Sequence, residues 1–290
     1  MEWYIFALIS AIFSALAAIL EKKILFKEKA LEFTVILALF NLVIASFFFF
    51  RTDFQTLSLP GLGILLFKSF LNALAFLFVM YSIKKLELSE TLPMLALTPG
   101  FVAIFAFIFL GESLSSLEII GLALLVIGIY IHGLDKKQGL LKPFRTFFSS
   151  KNKYILLALS LFTLTSILDK LILSRFKFSP DAFMAFQHVF FALIFIFIFI
   201  SLGGKFKGLK STAYLSGILI FVLAIITVIY RYAEIMAVKN SASVALVIAL
   251  KRTSVFFAVL IGGKIFKDHH LVRRLIATAF LVAGAAMIIN

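Results

Sequence analysis

Ten stretches of this chain, at about 3–20, 34–50, 61–83, 91–110, 118–134, 153–173, 182–202, 211–238, 241–262 and 271–289, are nearly unbroken apolar runs. Each approaches the roughly 20 residues a helix needs to cross the hydrocarbon core of a bilayer. A stretch such as "FMAFQHVFFALIFIFIFISL" (183–202) lacks the alternation a lipid-facing barrel strand requires. In hydrocarbon a helix satisfies its backbone hydrogen bonds within itself, so the β propensity of the 37 Phe does not decide the outcome. The expected fold is an all-α membrane protein with ten transmembrane helices. Only 14% of the residues are charged, against about 25% in a soluble domain, and little sequence remains for a soluble domain.

The first span opens "MEWYIF", without a basic leader, and runs straight into "LAAILEKK" without an evident cleavage site, so it reads as a retained helix. The absence of cysteine excludes disulfides, thiolate metal sites and a cysteine nucleophile. The net charge of +14 is spread over short segments between spans rather than over one patch. It suits anionic lipid head groups and not nucleic acid. The four histidines are His132, His188, His269 and His270, and neither HExxH nor GxSxG occurs. No metal, cofactor or enzymatic activity is therefore expected.

An internal repeat organises the spans. With Glu21 placed on Asp169, "SALAAILEKKIL" (14–25) lies over "FTLTSILDKLIL" (162–173) with six of twelve positions identical, including Lys22 on Lys170. Similarly "ESLSSLEIIGLALLVIG" (112–128) lies over "DHHLVRRLIATAFLVAG" (268–284). The longest polar connection, around 135–152, separates a five-helix unit at 1–134 from a second at 153–290. Five is odd, so the second copy enters the membrane in the opposite direction. That makes an inverted-topology repeat, an arrangement common in secondary transporters.

Lys22 and Lys170 late in each first helix, and "YSIKKLELSETLPMLALTPGFVAIFAFIFLGESL" (81–114) with Pro99 and Gly111-Glu112, resemble the ten-span EamA-like branch of the drug/metabolite transporter superfamily. The second half departs from the pattern: Lys251-Arg252 occupy a region where proline is frequent, and Asp268 replaces the terminal Glu. Ser14-Ala15 stand where many members carry Trp-Gly. The resemblance implies a secondary transporter in the cell membrane, working by alternating access around a cavity lined by helices 1, 3, 4, 6, 8 and 9. It also implies that both termini face the cytosol.

Ionisable groups inside a span cost roughly 2.5–3.5 kcal/mol on insertion scales, so they mark the protein interior or a wet cavity. Lys251 and Arg252, about mid-span, are the first candidates to bind an anionic or carboxylate-bearing substrate; pairing with internal acids is the alternative. Asp169 and Lys170 point about 100° apart on their helix, so each needs its own partner, with Lys251-Arg252 expected across the cavity. Lys68 and Asn72, four apart, complete the expected substrate-binding set. Arg231 and Glu234, three apart, form a local pair or a gate. Glu21 and Lys22 are either a gating or coupling pair or an interfacial anchor. Gln187 and His188 are assigned to helix packing, and Pro93, Pro99 and Gly100 to a kink or hinge in helix 4.

Outside the spans, most Lys and Arg follow odd-numbered helices, and only Arg51, Arg175, Lys177 and Lys239 follow even-numbered ones. The positive-inside rule then puts both termini outside, opposite to what the resemblance implies. The expected function is export or exchange of small metabolites such as amino acids or organic anions, by a monomer or a homodimer. A lipid-carrier flippase or, further off, a polytopic lipid-modifying enzyme are the alternatives.

Overall fold

The computed structural model describes residues 2–85, 95, 97–133, 153–255, 257–258, 261 and 271–289. Among these there are ten α-helices: α1 Trp3–Leu25, α2 Ala30–Ala45, α3 Leu59–Lys85, α4 Thr98–Leu110, α5 Ser116–Gly133, α6 Lys153–Ser174, α7 Pro180–Ser201, α8 Phe206–Asn240, α9 Val244–Arg252 and α10 Leu271–Ile289. α1, α3, α6, α7, α8 and α2 with the 3₁₀ turn that extends it to Arg51 are long and apolar enough to cross a membrane; α4, α5 and the last part of α10 are shorter apolar helices. The chain is an integral, multi-pass membrane protein.

The helix limits follow local chemistry. Ser179 caps α7 by accepting from the Ala182 N–H at 3.1 Å, with Pro180 in the first turn. Ser115 and Glu118 make a reciprocal capping box at α5, at 2.7 and 3.3 Å. Gly111, at φ 69°, closes α4 in the left-handed region where a side chain would be strained.

The fourth helix of each half differs from its expected span. Instead of a kinked 91–110 helix, the chain turns at Leu97 and α4 begins afresh at Thr98, with Pro99 in its first turn, where its missing N–H costs nothing. Pro99 and Gly100 thus lie in the first turn of α4; Pro93 lies outside the described residues. Likewise α9 ends at Arg252 with a turn at Thr253, within the expected 241–262 span.

The helices pack in pairs: α1 on α8, α3 on α6, α2 on α7, α4 on α9 and α5 on α10. α2 also lies along α8 and α3 along α7, while α1 touches α9 and α4 touches α6. The α1 interface is a stripe of small residues, Ala7, Ser10, Ala11, Ala15 and Ala18, all buried, which brings backbones close where lipid provides no hydrophobic drive between helices. α5 and α10 are closer still: a Cβ on Gly121 would stand 2.9 Å from the Gly284 carbonyl, and one on Gly284 2.7 Å from the Gly121 carbonyl. Phe50, Phe67, Phe107, Phe109 and Phe197 face outward, at 58–89% exposure, as suits a lipid-bathed surface.

Candidate functional site: a charged cavity among the helices

A cavity of ≈ 170 Å³ lies among α1, α2, α3, α6, α7, α8 and α9. The expectation of helices 1, 3, 4, 6, 8 and 9 omitted α2 and α7. Helix 4 contributes only Leu95 among the described residues.

One wall is a chain of buried charge. The Lys68 ammonium, wholly buried, lies 2.6 Å from Asp169 Oδ1 and donates to Gln187 Oε1 at 2.6 Å. Its third neighbour is the Phe183 ring, with the centroid 4.8 Å away. Arg231 donates to Gln187 Oε1 at 3.1 Å, stands 3.7 Å from Asp169 and pairs with Glu234 one turn along α8. Lys251 meets the same Glu234 oxygen at 2.7 Å and lies over the Tyr230 ring at 5.3 Å. Arg252 donates to Thr98 Oγ1 at 3.2 Å, joining the last turn of α9 to the first of α4. Low local dielectric strengthens such pairs and makes an unpaired member costly.

Of the expected residues, Asp169, Arg231, Glu234, Lys251, Arg252, Asn72 and Glu21 line the cavity. Lys68 sits behind Asp169, not on the lining. Lys170 is a correction: it turns away from Lys251-Arg252 and donates to the carbonyls of Val238, at 3.2 Å, and Ser241, at the C-terminal end of α8. Lys22 does the same in its own half, donating to the Ile83 carbonyl at 2.6 Å in the last turn of α3. It is therefore neither a gate on the cavity nor only a head-group anchor. Both corrections have one cause: neighbouring residues on a helix diverge by about 100°, so where the acid faces the cavity the lysine faces a helix end, whose free carbonyls attract a cation.

Glu21 is buried, at 6% exposure, and no described residue gives it a hydrogen bond or an ion pair; Lys251 is the cation whose charge it feels. Four cations (Lys68, Arg231, Lys251, Arg252) thus face three carboxylates (Asp169, Glu234, Glu21).

The cavity reaches from Asp169, Arg231 and Glu234 to Ile83 at the end of α3. At the opposite end the stacked Phe48 and Tyr232, 5.0 Å between centroids, and the cluster of Phe49, Phe54 and Phe186 fill the space. Asp181 accepts from Tyr232 at 3.4 Å and stands 3.7 Å from Arg51 there.

Several residues escaped the sequence reading. His188 lines the cavity instead of serving only to pack α7, and Asn41 joins it from α2. A lone amide in "ALFNLVIA" was the available signal for Asn41. Glu28, in a lysine-rich connection, is buried; its carboxylate accepts from Thr212 and Ser216 of α8, both at 2.6 Å. Glu112 accepts from the Val244 N–H at 2.9 Å and so caps α9 from another segment. Burial pushes the Glu112 carboxyl above the usual range, against the opposing pull of that N–H and of Lys170.

Among solved structures 29 chains match this one. One, a crystal structure of a protein 15% identical, covers 98% of this chain and 94% of its own at a TM-score of 0.71, a likeness of fold. No curated protein matches by sequence. Residues 1–134, just under half of the chain, match the EamA-like transporter family.

Proposed function

We propose that this protein is a secondary active transporter in the cell membrane that exports or exchanges small metabolites, amino acids or organic anions, by alternating access. The observation that carries the reading is the cavity itself: helices on either side of residues 135–152 enclose it, and it bears paired and unpaired charges that hydrocarbon would not tolerate. Its ≈ 170 Å³ lies below the roughly 300–1,000 Å³ typical of pockets for drug-sized ligands, which favours small substrates. Glu21, without a hydrogen-bond or ion-pair partner among the described residues, suits a substrate ammonium; Arg252, held among them by a neutral hydroxyl, suits a carboxylate.

Two units, 1–134 and 153–290, form an inverted repeat in this reading. The pairings α1–α8 with α3–α6, and α1–α9 with α4–α6, support it, because each becomes the other when the units exchange. So does the shared task of Lys22 and Lys170. The aromatic cluster around Tyr232 is then the closed gate, and the basic end near Ile83 faces the cytosol. A cysteine placed at Glu2, in a chain with none of its own, should react with an impermeant maleimide in intact cells; protection of Glu2→Cys would reverse the orientation.

The test is counterflow in proteoliposomes with labelled amino acids and small carboxylates. At least one should accumulate against its unlabelled form, and Arg252→Gln or Glu21→Gln should abolish that accumulation. If none accumulates, with or without a proton gradient, the reading is wrong.

A further inference from the structure

The wall of the cavity opposite α9 carries a second set of polar groups that the ion-pair chain does not use. His188 on α7 is 1% exposed, Asn41 on α2 5% and Asn72 on α3 8%, and all three line the cavity. These three helices pack on one another. Neither ring nitrogen of His188 nor Oδ1 of Asn41 has a hydrogen-bond partner among the described residues. Phe191 holds the imidazole edge-on, with ring centroids 6.1 Å apart at 90°, which fixes its plane. A polar group buried without a partner costs about 1–3 kcal/mol, so three such atoms on one wall, both ring nitrogens of His188 and Oδ1 of Asn41, point to a molecule that meets them.

Donor and acceptor bookkeeping narrows that molecule. Asn41 Oδ1 can only accept, so the ligand must donate to it. A neutral imidazole offers one donor and one acceptor, so the ligand must also accept. A carboxylate cannot donate and leaves Asn41 unmet. An ammonium cannot accept, and the charges His188 feels are the cationic Lys68 and Arg231, which repel it. An uncharged group that both donates and accepts meets both demands, and a hydroxyl is the smallest that a substrate can carry.

We propose that Asn41, Asn72 and His188 form a subsite for a hydroxyl group of the transported substrate, so that the cavity selects hydroxylated small acids over their deoxy counterparts. The inference rests on the transporter reading above, with Arg252 holding the carboxylate and this wall holding the hydroxyl.

The test uses matched pairs: L-serine with L-alanine, L-threonine with L-2-aminobutyrate, glycerate with lactate, and malate with succinate. Each is measured by thermal stabilisation of the purified full chain, which reports affinity by mass action, and by counterflow. Wild type should bind the hydroxylated member of at least one pair about tenfold more tightly, as one or two buried hydrogen bonds imply. Asn41→Leu and His188→Phe should each bring that ratio near one while the deoxy member binds as before. If either variant fails to fold, Asn72→Leu and the wild-type ratio still decide. Equal binding within every pair in wild type would overturn the subsite, leaving those groups to water, and leave the transporter reading intact. A preference that survives both variants would overturn it too. If no member of any pair binds or moves, both readings fall.

Discussion

Replacing Lys68 by Met keeps the length of the side chain and removes its charge, and the consequence can be worked from three distances. At an effective dielectric near 20, a pair at the 2.6 Å of Lys68 and Asp169 is worth about 6 kcal/mol before desolvation. Breaking a buried pair by removing one partner costs a net of about 3–5 kcal/mol. Arg231, 3.7 Å from the same carboxylate, still holds part of its charge, and its bond to Gln187 at 3.1 Å keeps that amide partnered. The loss should therefore sit at the low end, about 3 kcal/mol, or roughly 5 °C in melting temperature for a chain of this size. Lys68→Met/Asp169→Asn, which removes both charges, should recover at least half of the drop. The assay is thermal unfolding in detergent for wild type, the two single variants and the double. A Lys68→Met variant melting within about 1 °C of wild type, or a double variant as destabilised as the sum of the singles, would refute a buried pair.

Lys22→Gln and Lys170→Gln remove cations from helix ends and should each lower the melting temperature by about 2–4 °C, as expected for about 1 kcal/mol at a C-terminal carbonyl, while counterflow persists; loss of transport at unchanged stability would argue for a direct substrate role. Gly121→Ala drives a methyl to within 2.9 Å of the Gly284 carbonyl and should cost about 1–3 kcal/mol, whereas Gly63→Ala, with nothing within 4 Å, should not; equal melting of the two variants would contradict the close α5–α10 contact. Because burial raises the Glu112 carboxyl, the folded state takes up its proton at higher pH than the unfolded chain. Its stabilising share is thus full in acid and is lost as pH rises through the folded value. Wild type should gain on Glu112→Gln as pH falls from 7 toward 4, and a gap that does not move with pH would overturn that account.

The helices were legible because bilayer thickness is written directly into sequence as run length. So was the local pair of Arg231 and Glu234, whose spacing fixes a shared face. What stayed hidden depends on which helix lies opposite. Asp169 and Lys170 look equally suited to a cavity, yet Lys68 on α3 receives the first and the end of α8 the second. The breaks at Leu97 and Thr253 were read as a kink and as nothing, since neither turn residue is a strong breaker and the contact of Arg252 with Thr98 spans two helices. Glu28, flanked by lysines between two spans, gave no sequence signal of its burial, which the hydroxyls of α8 explain.

The acid-lysine order in "ILEKKIL" and "ILDKLIL" has a meaning beyond charge. In each, the first residue faces the cavity and the second grips the end of another helix. Reversing the pair at 169–170 would set a lysine against Lys68 and Arg231 and an acid against carbonyl oxygens, two repulsions where there were two attractions. Each dipeptide therefore works as a keyed fitting: its reading direction sets the rotation of its helix.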